Sequence, residues 1–429
     1  MNRVVVTGMG AVTPFGFGVN TLWDNLLKCN NGISKIKHIN LQGDIVKIGA
    51  CLPEADFTQY EKEDPVLFSY LPEDDSVKSY FLAVYEALKQ SGLEPRKMDS
   101  TDHIAVCIAD RKMNLINYVD QYAPFLKKAK TETGFDDQLY FDLIKGKKLG
   151  KTTPFNDNES INHYVSRNLR ITGPQLSVAT ACASGNNAIG EAFFKIQNGY
   201  IDIAIAGGAY NLDLNSMLGF TRIGALTVNP DPETACCPFD ARRDGFVMGS
   251  GCGVVILESL ESAVKRGANI LGEIVGYGYF SDAYRPTDPD PEATISTATI
   301  QACLKMAGVN PEDVGYINAH GTSTKMNDLT ETIAIKNTFK DYAYKIPISS
   351  TKSMIGHSIM AAAAIEAIVC LKSIQEGVIH PTRNWKERDS ALDLDYVADG
   401  PREVKMDYAL SNSFGFGGQN TSVLFARYK

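Results

Sequence analysis

The sequence contains no uninterrupted apolar run approaching the roughly 18 residues that a membrane span requires. Its richest candidate, Ile359 to Leu371, is broken by Glu366 and reads as a buried helix. No export leader is expected either. The apolar start, Met1 to Gly16, is interrupted by Gly8, Gly10, Pro14 and Gly16, which suggests a first strand and turn. The nine cysteines are odd in number, scattered and without a C-x-x-C pair, the usage of reduced thiols in the cytoplasm. An excess of basic charge is also missing. The net charge of −8 and pI near 5.4 argue against nucleic acid as a main partner. Low-complexity segments and flexible linkers are absent, so the chain is expected to pack as one unit.

The 429 residues are 44% hydrophobic and 21% charged, enough for a large core and two or three domain-sized units. Short β-rich runs alternate with helical stretches. Val4–Thr7, His103–Ala109, Ile203–Ala206, Gly253–Leu257, Val314–Ala319 and Ile346–Ser349 read as strands. Tyr80–Gln90, with Phe81, Val84 and Leu88 at helical spacing, and Thr294–Ala307 read as helices. Continuous apolar strands are those buried on both faces, so the fold class is α/β with mostly parallel sheets. Two strands lead into chemically loaded turns, Leu176–Thr180 before Cys182 and Val314–Ala319 before His320. That echo suggests a duplicated α/β/α/β/α sandwich, with halves at residues 1–260 and 261–429 and a more polar cap or insertion at about 107–170.

Cys182 lies in Ala181-Cys-Ala-Ser-Gly185, where small residues leave room for a substrate. Ile189, Phe193 and Ile196 follow at near-helical spacing, which places the thiol at a helix start. The helix dipole there is expected to lower the thiol pKa, and the local N–H groups are free to donate to an oxyanion. The other eight cysteines read as structural. Two of the six histidines occupy Gly-rich turns after strands, in Asn318-Ala-His320-Gly-Thr-Ser-Thr324 and Ser350-Thr-Lys352-Ser-Met-Ile-Gly-His357. Their separation is far from metal-ligand spacing, so no metal is expected. Neutral imidazole N–H groups are suited instead to binding a thioester carbonyl oxygen where enolate charge develops, as when a malonyl thioester loses CO2. Lys352 is placed to orient or tune His357. The loop Asn412-Ser-Phe414-Gly-Phe416-Gly-Gly418-Gln-Asn420 lacks the Lys and Ser/Thr of a P-loop, and reads as a flexible turn bringing an N–H and an aromatic gate to the site. Lys127, Lys128, Lys130, Lys145, Lys147, Lys148 and Lys151 form a basic stretch on an acidic protein.

Together these residues make the chain resemble the β-ketoacyl-acyl-carrier-protein synthases of the elongating, Cys-His-His class, which include 3-oxoacyl-ACP synthase II and type II polyketide ketosynthases. The resemblance is densest in Arg3–Gly16, Ser177–Gly190, Cys237–Gly253, Asn318–Glu331, Ser349–Glu366 and Ala409–Asn420. It implies a thiolase-like fold, a five-layer α/β/α/β/α sandwich, and an acyltransferase that needs no cofactor because its substrates ride on the phosphopantetheine of an acyl carrier protein. It also implies Cys182 as the acylated nucleophile, with His320 and His357 serving decarboxylation and condensation. Lys352 and Glu366 support them, and the amides of Cys182 and Phe416 form the oxyanion hole, with Phe416 gating the acyl pocket. Thr322, Thr324, Phe414, Gly417 and Gly418 fall on substrate-binding positions. Carrier proteins are acidic, so Lys127, Lys128, Lys145, Lys147 and Lys148 become candidates for docking. A dimer is implied, either a homodimer or a heterodimer with a homologous chain-length factor.

Ser250 stands where relatives usually have Glu, and Lys325 where fatty-acid synthases usually have Pro. The turn Lys325–Thr332 is similar to that of catalytic polyketide subunits, which tilts the reading to a type II polyketide or polyene pathway, with general fatty-acid elongation the alternative. A non-catalytic partner subunit would typically lose the nucleophile. A degradative thiolase needs a second cysteine near residues 409–420, which hold none.

Overall fold

The computed structural model describes residues 1–37, 46–69, 71, 75–110, 115–145 and 161–429. Its main elements are β1 (Val4–Thr13), α1 (Asp75–Ser91), β2 (Ile104–Ala109), α2 (Leu115–Ala129), α3 (Asp137–Ile144), α4 (Ile161–Leu169), α5 (Ser184–Gln197), β3 (Ile203–Tyr210), β4 (Gly251–Ser259) and β5 (Gly272–Ser281). They continue with α6 (Thr294–Ala307), β6 (Val314–Asn318), α7 (Lys325–Phe339), β7 (Ile348–Ser349), α8 (Ala362–Glu376), β8 (Tyr408–Gly415) and β9 (Gln419–Ala426).

The strands pair in the order β7-β6-β8-β9-β5-β1-β4-β3-β2. From β1 outward the pairing runs antiparallel to β4, antiparallel to β3 and parallel to β2, then ends in a parallel bridge from Val106 to Gln175. From β5 outward it runs antiparallel to β9, antiparallel to β8, then parallel to β6 and β7. The same pattern thus occurs twice, and the copies meet where Val4–Val6 of β1 pair with Gly272–Ile274 of β5. Helices α5 and α8 touch strands of both copies and form the middle layer. Helix α1 covers β1 and β4 on one outer side, and α6, backed by α7, covers β5 and β9 on the other. This is the expected five-layer sandwich. The equivalences differ from the expected echo, however. Gln175 occupies the place of β7, so the counterpart of the segment before Cys182 is the one before Lys352, and β2 is the counterpart of β6.

The expectation of mostly parallel sheets is corrected: the sheet is mixed, with β1, β4, β3, β5, β9 and β8 joined by antiparallel pairings and only β2, β6 and β7 added in parallel at its two ends. Three local expectations are corrected as well. Leu176–Thr180 is no strand and only Gln175 bridges, because the chain there turns away toward the site. Strand β1 continues through Gly8 and Gly10 without turning. A Cβ at those positions would lie 2.2 Å from the Ala87 carbonyl and 1.9 Å from that of Ala83, so these glycines allow α1 to lie close on β1. The ends of the expected 107–170 insertion belong to the core. Cys107–Ala109 lie in buried β2, and α4 packs beside it, the Asn162 side chain pairing with both the N–H and C=O of Ile108 at 2.8 Å.

The middle helix α8 is buried at every residue from Ala362 to Leu371. Small side chains and facing glycines make this possible. A Cβ on Gly253 of β4 would stand 2.7 Å from the Ala364 carbonyl carbon, and one on Gly208 of β3 would stand 2.3 Å from the Met360 oxygen. Gly253→Ala is therefore expected to destabilise the fold by about 1–3 kcal/mol in urea unfolding. Gly134→Ala, where a Cβ meets nothing within 4 Å, should stay within about 0.5 kcal/mol. Equal effects would refute close packing of α8 on the sheet.

Candidate active site

Cys182 arrives on a strained elbow. Ala181 has φ of +49°, the thiol sits within a short 3-10 turn at Ala181–Ala183, and α5 follows. The Ser184 hydroxyl donates to the Ala181 carbonyl (2.6 Å) and accepts the Thr180 N–H (2.8 Å). Behind it, Tyr277 donates to Asn187 (2.5 Å), whose amide donates to the Thr180 hydroxyl (2.7 Å). The elbow is thus held by polar groups to which the sequence motifs gave no such role, Ser184 being read there only as a small residue.

His357 follows Gly356, which has φ of +66°. Its backbone N–H donates to Val247 (2.7 Å) and its carbonyl accepts from Gly249 (2.9 Å). This places His357 Nε2 3.0 Å from Cys182 Sγ. His320 lies just beyond β6, its ring perpendicular to that of His357 at a centroid distance of 5.3 Å. Glu331 on α7 accepts the N–H groups of His320 (2.9 Å) and Gly321 (2.8 Å). Asp328, one turn earlier, accepts those of Thr322 (3.0 Å) and Phe239 (2.8 Å). Both carboxylates escaped the sequence reading. Their signal was an acidic pair three residues apart in the helix that follows the His320 turn.

Folding brings one ligand-capable atom from each of Cys182, His320 and His357 within 4.8 Å of one another, so sequence spacing was no ground for excluding shared coordination. Lys352 and Glu366 form an ion pair that is 1% exposed at both ends and lies behind the cavity wall.

Burial sets the protonation states. Both imidazoles are held well below the ordinary histidine value, first by desolvation and then by the Lys352 charge, so they are neutral near pH 7. Burial pushes the Cys182 thiol up to about 11, although Lys352 and the backbone N–H groups of Phe416 and Cys182 pull it down. The expected lowering by a helix dipole is therefore corrected. Desolvation outweighs it, and α5 proper begins only at Ser184. Burial also carries Glu331 and Glu366 up to about 7, the latter against the pull of Lys352.

A cavity of about 280 Å3 opens onto Cys182, His320 and His357. Thr322, Thr324, Phe414, Phe416 and Gly418 line it, with the two threonine hydroxyls 2.9 Å apart. Gly417 does not. It is exposed, and its N–H donates to Pro286 (2.7 Å). The glycine loop is a tight hairpin between β8 and β9, with Phe414 and Gly415 still paired as strand. Phe416 contacts Phe220 (6.0 Å), which contacts Phe246 (5.2 Å), which in turn stands edge-on to His357 (5.2 Å). Phe416 was expected as a gate, but Phe220, Phe246 and Asp282, which accepts from Asn420 at the cavity edge, were given no role by the motifs. Lys127, Lys128, Lys130 and Lys145 are exposed on or beside α2 and α3 and do not line the cavity. Lys147, Lys148 and Lys151 lie outside the described residues. Among the described residues no helix is long and apolar enough to cross a membrane.

With the thiol protonated, iodoacetamide alkylation of free Cys182, read by mass spectrometry, is expected to keep rising about tenfold per pH unit from pH 7 to 9. A plateau below pH 8 would contradict the burial-dominated state.

A family model for the β-ketoacyl synthase N-terminal domain matches residues 1–263, and one for the C-terminal domain matches residues 271–386. The chain is 38% identical over 431 residues to 3-oxoacyl-[acyl-carrier-protein] synthase 2 of Staphylococcus aureus (strain COL), covering 100% of this chain and 99% of the relative. It is 39% identical over 443 residues to the enzyme of the same name from Synechocystis sp. (strain ATCC 27184 / PCC 6803 / Kazusa), covering 100% and 98%. Among solved structures it is similar to a type II polyketide synthase ketosynthase in complex with its acyl-carrier protein and bound to the hexaketide (TM-score 0.85, 31% identity, 100% of both chains). It is likewise similar to the ishigamide ketosynthase/chain length factor (TM-score 0.82, 30% identity, 100% of both chains). With both domain models matched in order and the full length shared at these identities, the chain belongs to the β-ketoacyl synthase family.

Proposed function

We propose that the chain is a β-ketoacyl-acyl-carrier-protein synthase, performing decarboxylative Claisen condensation between an acyl group on Cys182 and malonyl-acyl-carrier protein. The observation that carries this is Cys182 Sγ lying 3.0 Å from His357 Nε2, with neutral His320 beside it, in one cavity. In the first half-reaction Sγ attacks the carrier thioester as its proton passes to His357, which relays it to the departing carrier thiolate. The N–H groups of Cys182 and Phe416, which favour negative charge at the sulfur, are assigned to the tetrahedral oxyanion. In the second, the imidazoles of His320 and His357 donate to the malonyl thioester oxygen. Carbon dioxide departs, and the enolate carbon attacks the Cys182 thioester, expelling Sγ. Burial keeps both imidazoles neutral, and the Lys352 charge, held by Glu366, further disfavours protonating them. No separate cofactor enters these steps.

We further infer a type II polyketide or polyene pathway. The likeness to two ketosynthases at 30–31% identity and Lys325 at the cavity mouth support it. General fatty-acid elongation is the alternative, supported by the 38–39% identity to 3-oxoacyl-acyl-carrier-protein synthases. In the first reading the dimer partner is a homologous chain-length factor; in the second it is another copy. The exposed Lys127, Lys128 and Lys145, with Lys147 and Lys148, are assigned to an acidic carrier protein, the assembly working in the cytoplasm. The chain is taken to divide near residue 260 into its two half-units.

Cys182→Gln is expected to abolish acylation while CO2 release from malonyl-carrier protein continues. Loss of neither would refute the nucleophile. His320→Ala should lower CO2 release by about 10²- to 10⁴-fold. Purification from the native host tests the pathway: a homologous partner lacking the cysteine supports the polyketide reading, and a homodimer supports elongation.

A further inference from the structure

One buried histidine takes no part in these steps. His380 is 0% exposed, as are Tyr316, Asn318, Ser349 and Thr351 around it. Its Nδ1 lies 2.9 Å from the Pro381 carbonyl oxygen. A carbonyl only accepts, so Nδ1 carries the proton and Nε2 is a bare acceptor. Three hydroxyls surround Nε2: Thr351 at 3.1 Å, Ser349 at 3.2 Å and Tyr316 at 3.3 Å. Tyr316 and Ser349 also pair at 2.8 Å, and the Asn318 amide donates to Tyr316 (3.0 Å) and Thr351 (2.9 Å). Both Asn318 protons are thereby used, which leaves the Thr351 proton to point at His380.

The placement of this network matters. Tyr316 and Asn318 lie on β6, just before His320, while Ser349 ends β7 and Thr351 abuts Lys352. Strands β6 and β7 share only two registered pairs, Ile317 with Ile348 and Asn318 with Ser349. Beyond them the Ala319 N–H donates to Ser349 (2.9 Å) and the Ser350 hydroxyl to Gly321 (2.7 Å), and the side-chain network adds to these ties at the ends that carry the catalytic groups. Cys182 comes in on a separate elbow, held by Ser184, Asn187 and Tyr277.

We propose that His380 is a positioning residue for the decarboxylation half of the reaction, its Nε2 fixing the register of the turns that deliver His320 and Lys352 without affecting Cys182. The inference rests on the proposed function. His380→Leu, which cannot accept, is expected to slow CO2 release from malonyl-carrier protein by about 10- to 100-fold, the scale of a small misplacement of catalytic groups. Acylation of Cys182 should stay within about threefold, since its elbow is untouched and His357 is held separately by backbone bonds to Val247 and Gly249. His380→Gln, whose amide oxygen can accept from Thr351, should recover most of the lost rate. Thr351→Val, which removes the donor, should show the same split and decides the matter if His380→Leu does not fold. Half-reactions that fall together, or neither falling, overturn the inference while wild-type activity stands. A wild type lacking both half-reactions overturns the proposed function and the inference with it.

Discussion

The site exists because helix α8 lies in van der Waals contact with the sheet between the two copies of one strand pattern. That contact depends on missing side chains: Gly253 and Gly208 face a helix beginning in alanines, and a single Cβ on either would meet backbone. With the helix this close, Glu366 projects into the interior to meet Lys352, and the turn before the helix delivers His357 to the sulfur. A wider spacing would separate the Cys182 thiol from His357. Close packing of this kind resists small adjustments, so the position of His357 is tied to the fold as a whole.

Burial then sets a chemical state that charge pairing alone would not. Removing water disfavours every ionised form in the site, which leaves two neutral imidazoles, a protonated thiol and carboxyls lifted toward neutrality. Neutral imidazoles can donate to a carbonyl oxygen as it becomes anionic, and one can first accept the thiol proton. A thiolate stabilised by an imidazolium, the state suited to hydrolytic cysteine enzymes, is disfavoured by the same burial. Lys352 strengthens this bias, because its charge opposes protonation of either histidine.

Much of this was legible in the chain. Continuous apolar runs announced strands buried on both faces, and the echo between the Cys182 and His320 segments announced a duplication. The echo was matched to the wrong partner, because Leu176–Thr180 looks β-like yet pairs only through Gln175. Glycine misled the reading at β1. Gly8 and Gly10 suggest a turn, whereas they allow a helix to approach a strand that continues past them. The supporting acids Asp328 and Glu331 were invisible in role, since ordinary helical carboxylates reveal themselves only when backbone N–H groups from a distant loop point at them.

The sequence by itself determined the residue types that can perform this chemistry, the elements that carry them and the family to which the chain is similar. These follow from local periodicity, turn chemistry and short motifs, all of which act within a few residues. Tertiary structure alone decided that Cys182 meets His357 and that its thiol stays protonated. It also decided that Gly417 faces outward, and that a third histidine, His380, stands behind the turns that carry His320 and Lys352. Those outcomes depend on the distance and desolvation between segments far apart in the chain, quantities that no local pattern contains.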